Sequence, residues 1–310
     1  KIDVIKNQNY WAGADEKQPD VIHYVIMTSS ASRAAAIQTG KADFASNFNA
    51  SDLEVLNGTK GIQLIEFPST NFAYVFFNDN AYLPRNEKTL ALRRAVACAL
   101  DKEEIMIACG DEKGMVAVSN WAYPWPEYIG DESAFDVDLS YNLDKAKEYL
   151  AESGYTKLTV LTDSGKEWCL VASQVIQAQL KKIGLEIDIV ETGSFSSEWT
   201  TDKYDMAIHS NLFTMLPGSG INYYQVGTNV NRAKVSEQEV QDALNEYLVT
   251  TDTAKKIELM QYILKVNHDQ VYYIPTYWRV GSYAYADGLE GFSIGQGMTY
   301  DFKHIYKVVK

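Results

Sequence analysis

The sequence predicts an α/β protein built as two lobes. Strand-like and helix-like runs alternate from 157 to 210, the pattern of a parallel sheet with crossover helices. The chain has 310 residues, 46% of them hydrophobic, which suffices for two separate cores. Apolar strand runs at 61–78 and 271–278 bracket the alternating region, where the chain would cross between lobes.

Taken in order, VIHYVIM (21–27) is rich in β-branched and aromatic residues and reads as a strand. SSASRAAAIQTG (29–40) reads as a helix, with Ser near its start and Gly40 past its end, and KADF opens the next strand. GIQLIEFPSTNFAYVFFN (61–78) is expected to supply two strands. ALRRAVACALDKEEI (91–105) and NLDKAKEYLAESGY (142–155) carry helical patterns. KLTVLT (157–162) then begins the alternation. A helix follows from Glu167 to Ile183, with Val171, Val175, Ile176, Leu180 and Ile183 on one stripe and Gly184 as its stop. LEIDIVE (185–191), a short helix from Phe195 to Asp202 and YDMAIHS (204–210) complete it. Open sheets of this kind bind ligands beyond the carboxyl ends of their strands. The loop SNLFTMLPGSGINYY (210–224) is therefore the prime site candidate. Ser236 and Glu239 form a capping-box pattern before VQDALNEYLV, TAKKIELMQYILKVNHD presents Ile257, Met260, Ile263 and Leu264 to a core, and VYYIPTYW (271–278) is a strand.

Several function classes drop out. A net charge of −13 without a cluster of Lys and Arg opposes a nucleic-acid partner. Apolar runs such as YVFF and AVACAL fall far short of the ~20 residues a membrane span needs. Cys98, Cys109 and Cys169 include no CxxC and read as ordinary thiols rather than a zinc site or disulfide framework. Nucleotide, protease and esterase signatures are absent, and the acid pairs 111/112 and 131/132 read as solvated loop surface. Of four dispersed histidines, only His209 stands at the carboxyl end of a strand, and it is kept as a metal-ligand candidate. Neither an enzyme nor a cofactor is expected.

The aromatic loop SNWAYPWPEY (119–128) alternates rings with Pro124 and Pro126, whose fixed φ holds those rings at low entropic cost. Taken with 91–105, 142–155 and IQAQLKKIGLEIDI (176–189), in that order, it resembles the extracytoplasmic solute-binding proteins of the peptide and nickel class of ABC importers, family 5. The resemblance implies a type II periplasmic-binding-protein-like fold with its N-terminal part missing, because KIDVIKNQNYWAG resembles a segment that lies well inside family members. The missing part would hold the export signal, any lipid-anchoring cysteine and part of the first lobe. Residues 1–76 would then be part of the first lobe, 77–279 the second and 280–310 the return, with crossings near Tyr74–Asn78 and Tyr277–Ser282. The implied function is non-catalytic capture of a peptide, peptide-like or nickel-chelate ligand by a monomer. It would work with an ABC permease in the periplasm, or lipid-anchored on the outer face of the cell membrane. A ligand sensor that kept the fold is the alternative.

Peptide-binding members commonly carry an Ala-Asp pair in the loop after the strand matching YDMAIHS, where the aspartate meets the peptide's ammonium. Here residues 211 to 220 contain no carboxylate. An anionic or chelate-type ligand is therefore expected, with Arg279 as a fork for its carboxylate and Asn71, Phe72, Trp121, Trp125, Asn211, Phe213 and Tyr277 around it.

Overall fold

A computed structural model describes residues 1–13, 16–80, 82–119, 125–130, 135–214, 216 and 218–308. The chain forms two compact units, Lys1–Ser69 with Val280–Lys310, and Thr70–Arg279. Both divisions fall inside long strands.

In the first unit β1 (Ile2–Ile5) pairs antiparallel with β2 (Val21–Tyr24). Helix α1 (Ser30–Gln38) starts where Ser29 Oγ accepts the Ser32 N–H, and Gly40 takes a left-handed φ of 68° just past its end. After β3 (Phe44–Ser46) and α2 (Ala50–Asn57), β4 (Ile62–Phe77) runs out of this unit. A small core of Ala34, Ile37, Leu56 and Ala284 holds it together.

The second unit opens with the end of β4 and continues through α3 (Glu87–Ala99), α4 (Lys102–Ala108), β5 (Met115–Val116) and α5 (Leu143–Ser153). The predicted alternation follows as β6 (Lys157–Asp163), α6 (Glu167–Lys181), β7 (Glu186–Thr192), α7 (Phe195–Glu198) and β8 (Met206–Leu212). Helices α8 (Gln238–Val249) and α9 (Thr253–Gln270) lead into β9 (Tyr273–Ala286), which returns to the first unit. There its far end pairs with β3, and β10 (Leu289–Glu290), β11 (Ser293–Gly295), β12 (Thr299–Asp301) and β13 (Tyr306–Lys307) form two small ladders.

Within the second unit the strand order is β9-β4-β8-β6-β7, with β5 on β9. Strand β6 is parallel to β7 and to β8, as the crossover helices require, and β8 is antiparallel to β4. Each face of this sheet carries a core. Phe72, Tyr74 and Phe76 join one with Tyr223, Leu244, Ile263 and Trp278. Ala73, Val75 and Phe77 join the other with Leu92, Ile176, Leu180 and Tyr277.

That two-sided burial explains why the first division lies at 69/70, earlier than the 76/77 expected: Phe72 to Phe77 are sandwiched between the cores of the second unit. Two further expectations are corrected. The segment 61–78 is one 16-residue strand, not two; Pro68 interrupts nothing, because its fixed φ suits extended backbone. The capping box at Ser236 does not form. Helix α8 starts at Gln238, and Glu237 at its head makes no side-chain cap bond. The Glu237 carboxylate instead takes Arg85 and the Ser236 N–H, so a tertiary ion pair overrides the local signal.

Candidate functional site

The carboxyl ends of β6, β7 and β8 gather one set of side chains. Strand β6 runs into the turn 163–166, where Asp163 Oδ1 accepts the Gly165 N–H at 3.0 Å. Lys166 heads α6, whose first N–H groups receive no side-chain cap there, so this helix end is positive. The Lys166 ammonium lies 3.4 Å from Asp163 and 2.9 Å from His209 Nε2. An ammonium can only donate, so Nε2 accepts and the imidazole proton sits on Nδ1. That buried Nδ1 has no hydrogen-bond partner among the described residues.

His209 lies flat on Phe195, with centroids 4.7 Å apart at 12°, and meets Trp199 edge-on at 6.1 Å. Burial first, then the charges of Lys166 and Arg232, push its pKa down to about 2. The imidazole is therefore neutral at any physiological pH.

The β4–β8 register sets Tyr74 opposite His209 and Phe72 opposite Asn211. Asn211 Nδ2 donates to the Tyr74 hydroxyl at 2.7 Å and to the Tyr223 hydroxyl. Arg232 Nη1 donates to the same Tyr74 hydroxyl at 2.6 Å, while its guanidinium lies 3.4 Å from the centre of the Trp199 ring. Gly218 closes the loop on its far side with a φ of 78°. A Cβ there would sit 2.2 Å from the Tyr247 hydroxyl, so only glycine fits without displacing that ring.

Strand alternation divides the residues expected at the site. Asn211, Phe213 and Phe72 are together, Phe72 meeting Phe213 at 6.4 Å and Trp278 at 4.5 Å. Phe72 and Phe213 are buried in the core beneath the loop rather than presented as open walls. Trp125 packs against that same core, and Asn71 is half-buried opposite Leu212. Tyr277 points the other way, into the core on the opposite sheet face. Arg279 is not an open fork: its Nε is 2.7 Å from buried Asp111 Oδ2, and its guanidinium covers Trp168 at 4.3 Å. Both depart from expectation for one reason, that Tyr277 and Arg279 share the sheet face opposite Trp278. Trp121 lies outside the described residues.

Sequence reading missed Lys166, Trp199 and Arg232. Lys166 had a usable signal, since DSGK stands at the carboxyl end of a strand and the head of a helix. Arg232 had none, because its partners lie on strands and loops remote in sequence. The three cysteines are free, with Cys98 and Cys169 buried, as expected. Among the described residues no group of three or more His, Cys, Asp or Glu could hold a metal ion. A cavity of about 430 Å³ lies elsewhere, between Ala97, Phe135, Val137, His268, Val271 and Ile274. Two polar groups on its wall are already engaged, His268 Nε2 contacting Val137 O at 2.7 Å and Lys102 Nζ donating to Ala117 O at 3.1 Å.

The strand ends of the parallel β6, β7 and β8 thus carry a lysine, a buried arginine and a group of aromatic rings. The profile of the bacterial extracellular solute-binding proteins, family 5 (middle), matches residues 1–232, and the chain belongs to that family. The heme-binding protein A of Haemophilus influenzae is 27% identical over 302 residues, covering 90% of this chain and 52% of that protein. The oligopeptide-binding protein AppA of Bacillus subtilis is 25% identical over 224 residues, covering 64% of this chain and 38% of the relative. The chain thus spans about half the length, or less, of these relatives. Among solved structures, the substrate-binding protein CtaP of Listeria monocytogenes superimposes with a TM-score of 0.82 at 20% identity, covering 98% of this chain and 63% of that one. NikA of Staphylococcus aureus, in complex with Ni(L-His)2, gives 0.80 at 18% identity, covering 99% and 66%. These likenesses establish the fold. No helix among the described residues is long and apolar enough to cross a membrane.

Proposed function

We propose that this chain belongs to a ligand-capturing component of an ABC importer, acting without catalysis outside the cytoplasm and delivering its ligand to a membrane permease. The ligand is a small molecule anchored by a carboxylate, either peptide-like or a carboxylate chelate of a metal ion. One observation carries the choice of anchor. Lys166 stands at the positive end of α6 beside a neutral His209, whereas residues 211 to 220 offer no carboxylate to an ammonium. A carboxylate there would meet the Lys166 ammonium at the positive end of the α6 dipole. An ammonium at the same place would meet the like charge of Lys166, and the neighbouring Asp163 carboxylate already pairs with that lysine at 3.4 Å. The names of the relatives, which include peptide, heme and nickel binders, support capture as the shared activity and leave the cargo to this site.

Calorimetry on the full-length protein tests the reading with trialanine, N-acetyl-trialanine, trialanine amide and nickel bis-histidine. Acetylation should leave affinity nearly unchanged, whereas amidation should weaken it about tenfold, the worth of one charge-assisted hydrogen bond. Lys166→Gln should abolish that difference. Loss on acetylation with tolerance of amidation would restore an ammonium-anchored peptide and overturn the assignment.

A further inference from the structure

Arg232 is a buried cation with an unusual set of neighbours. It is 7% exposed, and among the described residues no carboxylate pairs with it. Burying an unpaired charge is costly, so such a residue is retained only where its surroundings compensate. Here they are rings and one hydroxyl. The guanidinium lies 3.4 Å from the centre of Trp199, 5.3 Å from Phe76, 5.8 Å from Tyr223 and 5.9 Å from Tyr74. Among the described residues its side-chain hydrogen bond goes to Tyr74. That hydroxyl also accepts from Asn211, which reaches on to Tyr223.

We infer that Arg232 is a positioning residue for the binding loop, fixing Asn211 and Tyr223 through the Tyr74 hydroxyl. Asn211 sits where β8 gives way to the loop, and Tyr223 where that loop turns back under the chain leading to α8. One oxygen on β4 ties both ends, and Arg232 orients that oxygen while Trp199 holds the guanidinium plane. Lysine at 232 would keep the charge but has no planar fork to lie on Trp199 and reach Tyr74 at once. The inference rests on reading this loop as ligand-bearing, yet it concerns the free protein.

Hydrogen–deuterium exchange on the full-length protein without ligand tests it, comparing wild type with Arg232→Met, Arg232→Lys, Tyr74→Phe and the Arg232→Met/Tyr74→Phe double variant. Exchange should rise about tenfold or more in peptides bearing Asn211 and Tyr223, the size expected from losing a hydrogen bond to a charged donor. Peptides of β6 and β7 should be unchanged, Tyr74→Phe should match Arg232→Met, the double variant should add nothing, and lysine should not rescue. Unchanged loop exchange, a uniform rise across Thr70–Arg279, additive effects or full rescue by lysine would each overturn it. Should Arg232→Met fail to fold, Tyr74→Phe alone still decides, because local loosening is required of it. The measurement needs no ligand, so its failure counts against Arg232 alone, whereas absent carboxylate binding counts against the proposed function alone.

Discussion

His209 shows how a residue's surroundings reverse its usual chemistry. Its folded pKa is pushed far below that of a free imidazole, chiefly by burial. The unfolded chain therefore takes up a proton near pH 6.5 that the folded chain refuses. The stability from this group is fully present above that pH and is lost as the pH falls toward 2. Between pH 7.5 and 5.0 the loss should be about 2 kcal/mol, and denaturant unfolding of wild type beside His209→Gln should show it in the wild type only. Arg279 and Asp111 invite a second test. Removing one member of a buried pair strands the other, so Arg279→Met should cost about 3–5 kcal/mol, while Arg279→Met with Asp111→Leu should recover most of it in the same measurement. Gly114 is a third case: a Cβ would sit 2.6 Å from Trp278 O and 2.8 Å from Asp111 O. Backbone cannot yield there, and Gly114→Ala should lower stability by about 1–3 kcal/mol in thermal unfolding.

At the scale of elements, local signals succeed where the groups they need are near in sequence. Helix α5 begins at Asn142, whose side chain accepts the N–H groups of Asp144 and Lys145, and it ends at left-handed Gly154. Asn142→Ala should cost about 1 kcal/mol by chemical denaturation, the worth of one N-cap. Helix α8 departs from that logic because the Ser236 N–H goes to the Glu237 carboxylate, held in place by Arg85 far along the chain, rather than to Glu239. Strand β4 fails a different one. The sequence over 61–78 predicts two strands, but the backbone stays extended through Pro68 and makes one strand.

For the molecule as a whole, both large cores are drawn entirely from residues between 70 and 279, and the small third core entirely from outside that span. A fragment of residues 70–279 should therefore fold alone, with a single cooperative transition followed by circular dichroism. Non-cooperative melting of that fragment would show that the cores depend on the flanking strands.

The sequence by itself determined the α/β class, the parallel β6, β7 and β8 with their crossovers, and the burial of Cys98 and Cys169. These follow from periodicity and from handedness rules acting over a few tens of residues. Its resemblance to family 5 also pointed to the family that the profile match establishes. Only the tertiary structure decided which side chains share a face. Tyr277 and Trp278 are adjacent in the chain, yet they lie in different cores because successive strand residues point to opposite sides. Arg279 looked free and is paired with Asp111, while Arg232, with no pattern around it, joins Tyr74 and Trp199. Such pairings span 168, 158 and some thirty positions of sequence. Contacts at that range are set by how strands register and loops close, which no local spacing encodes.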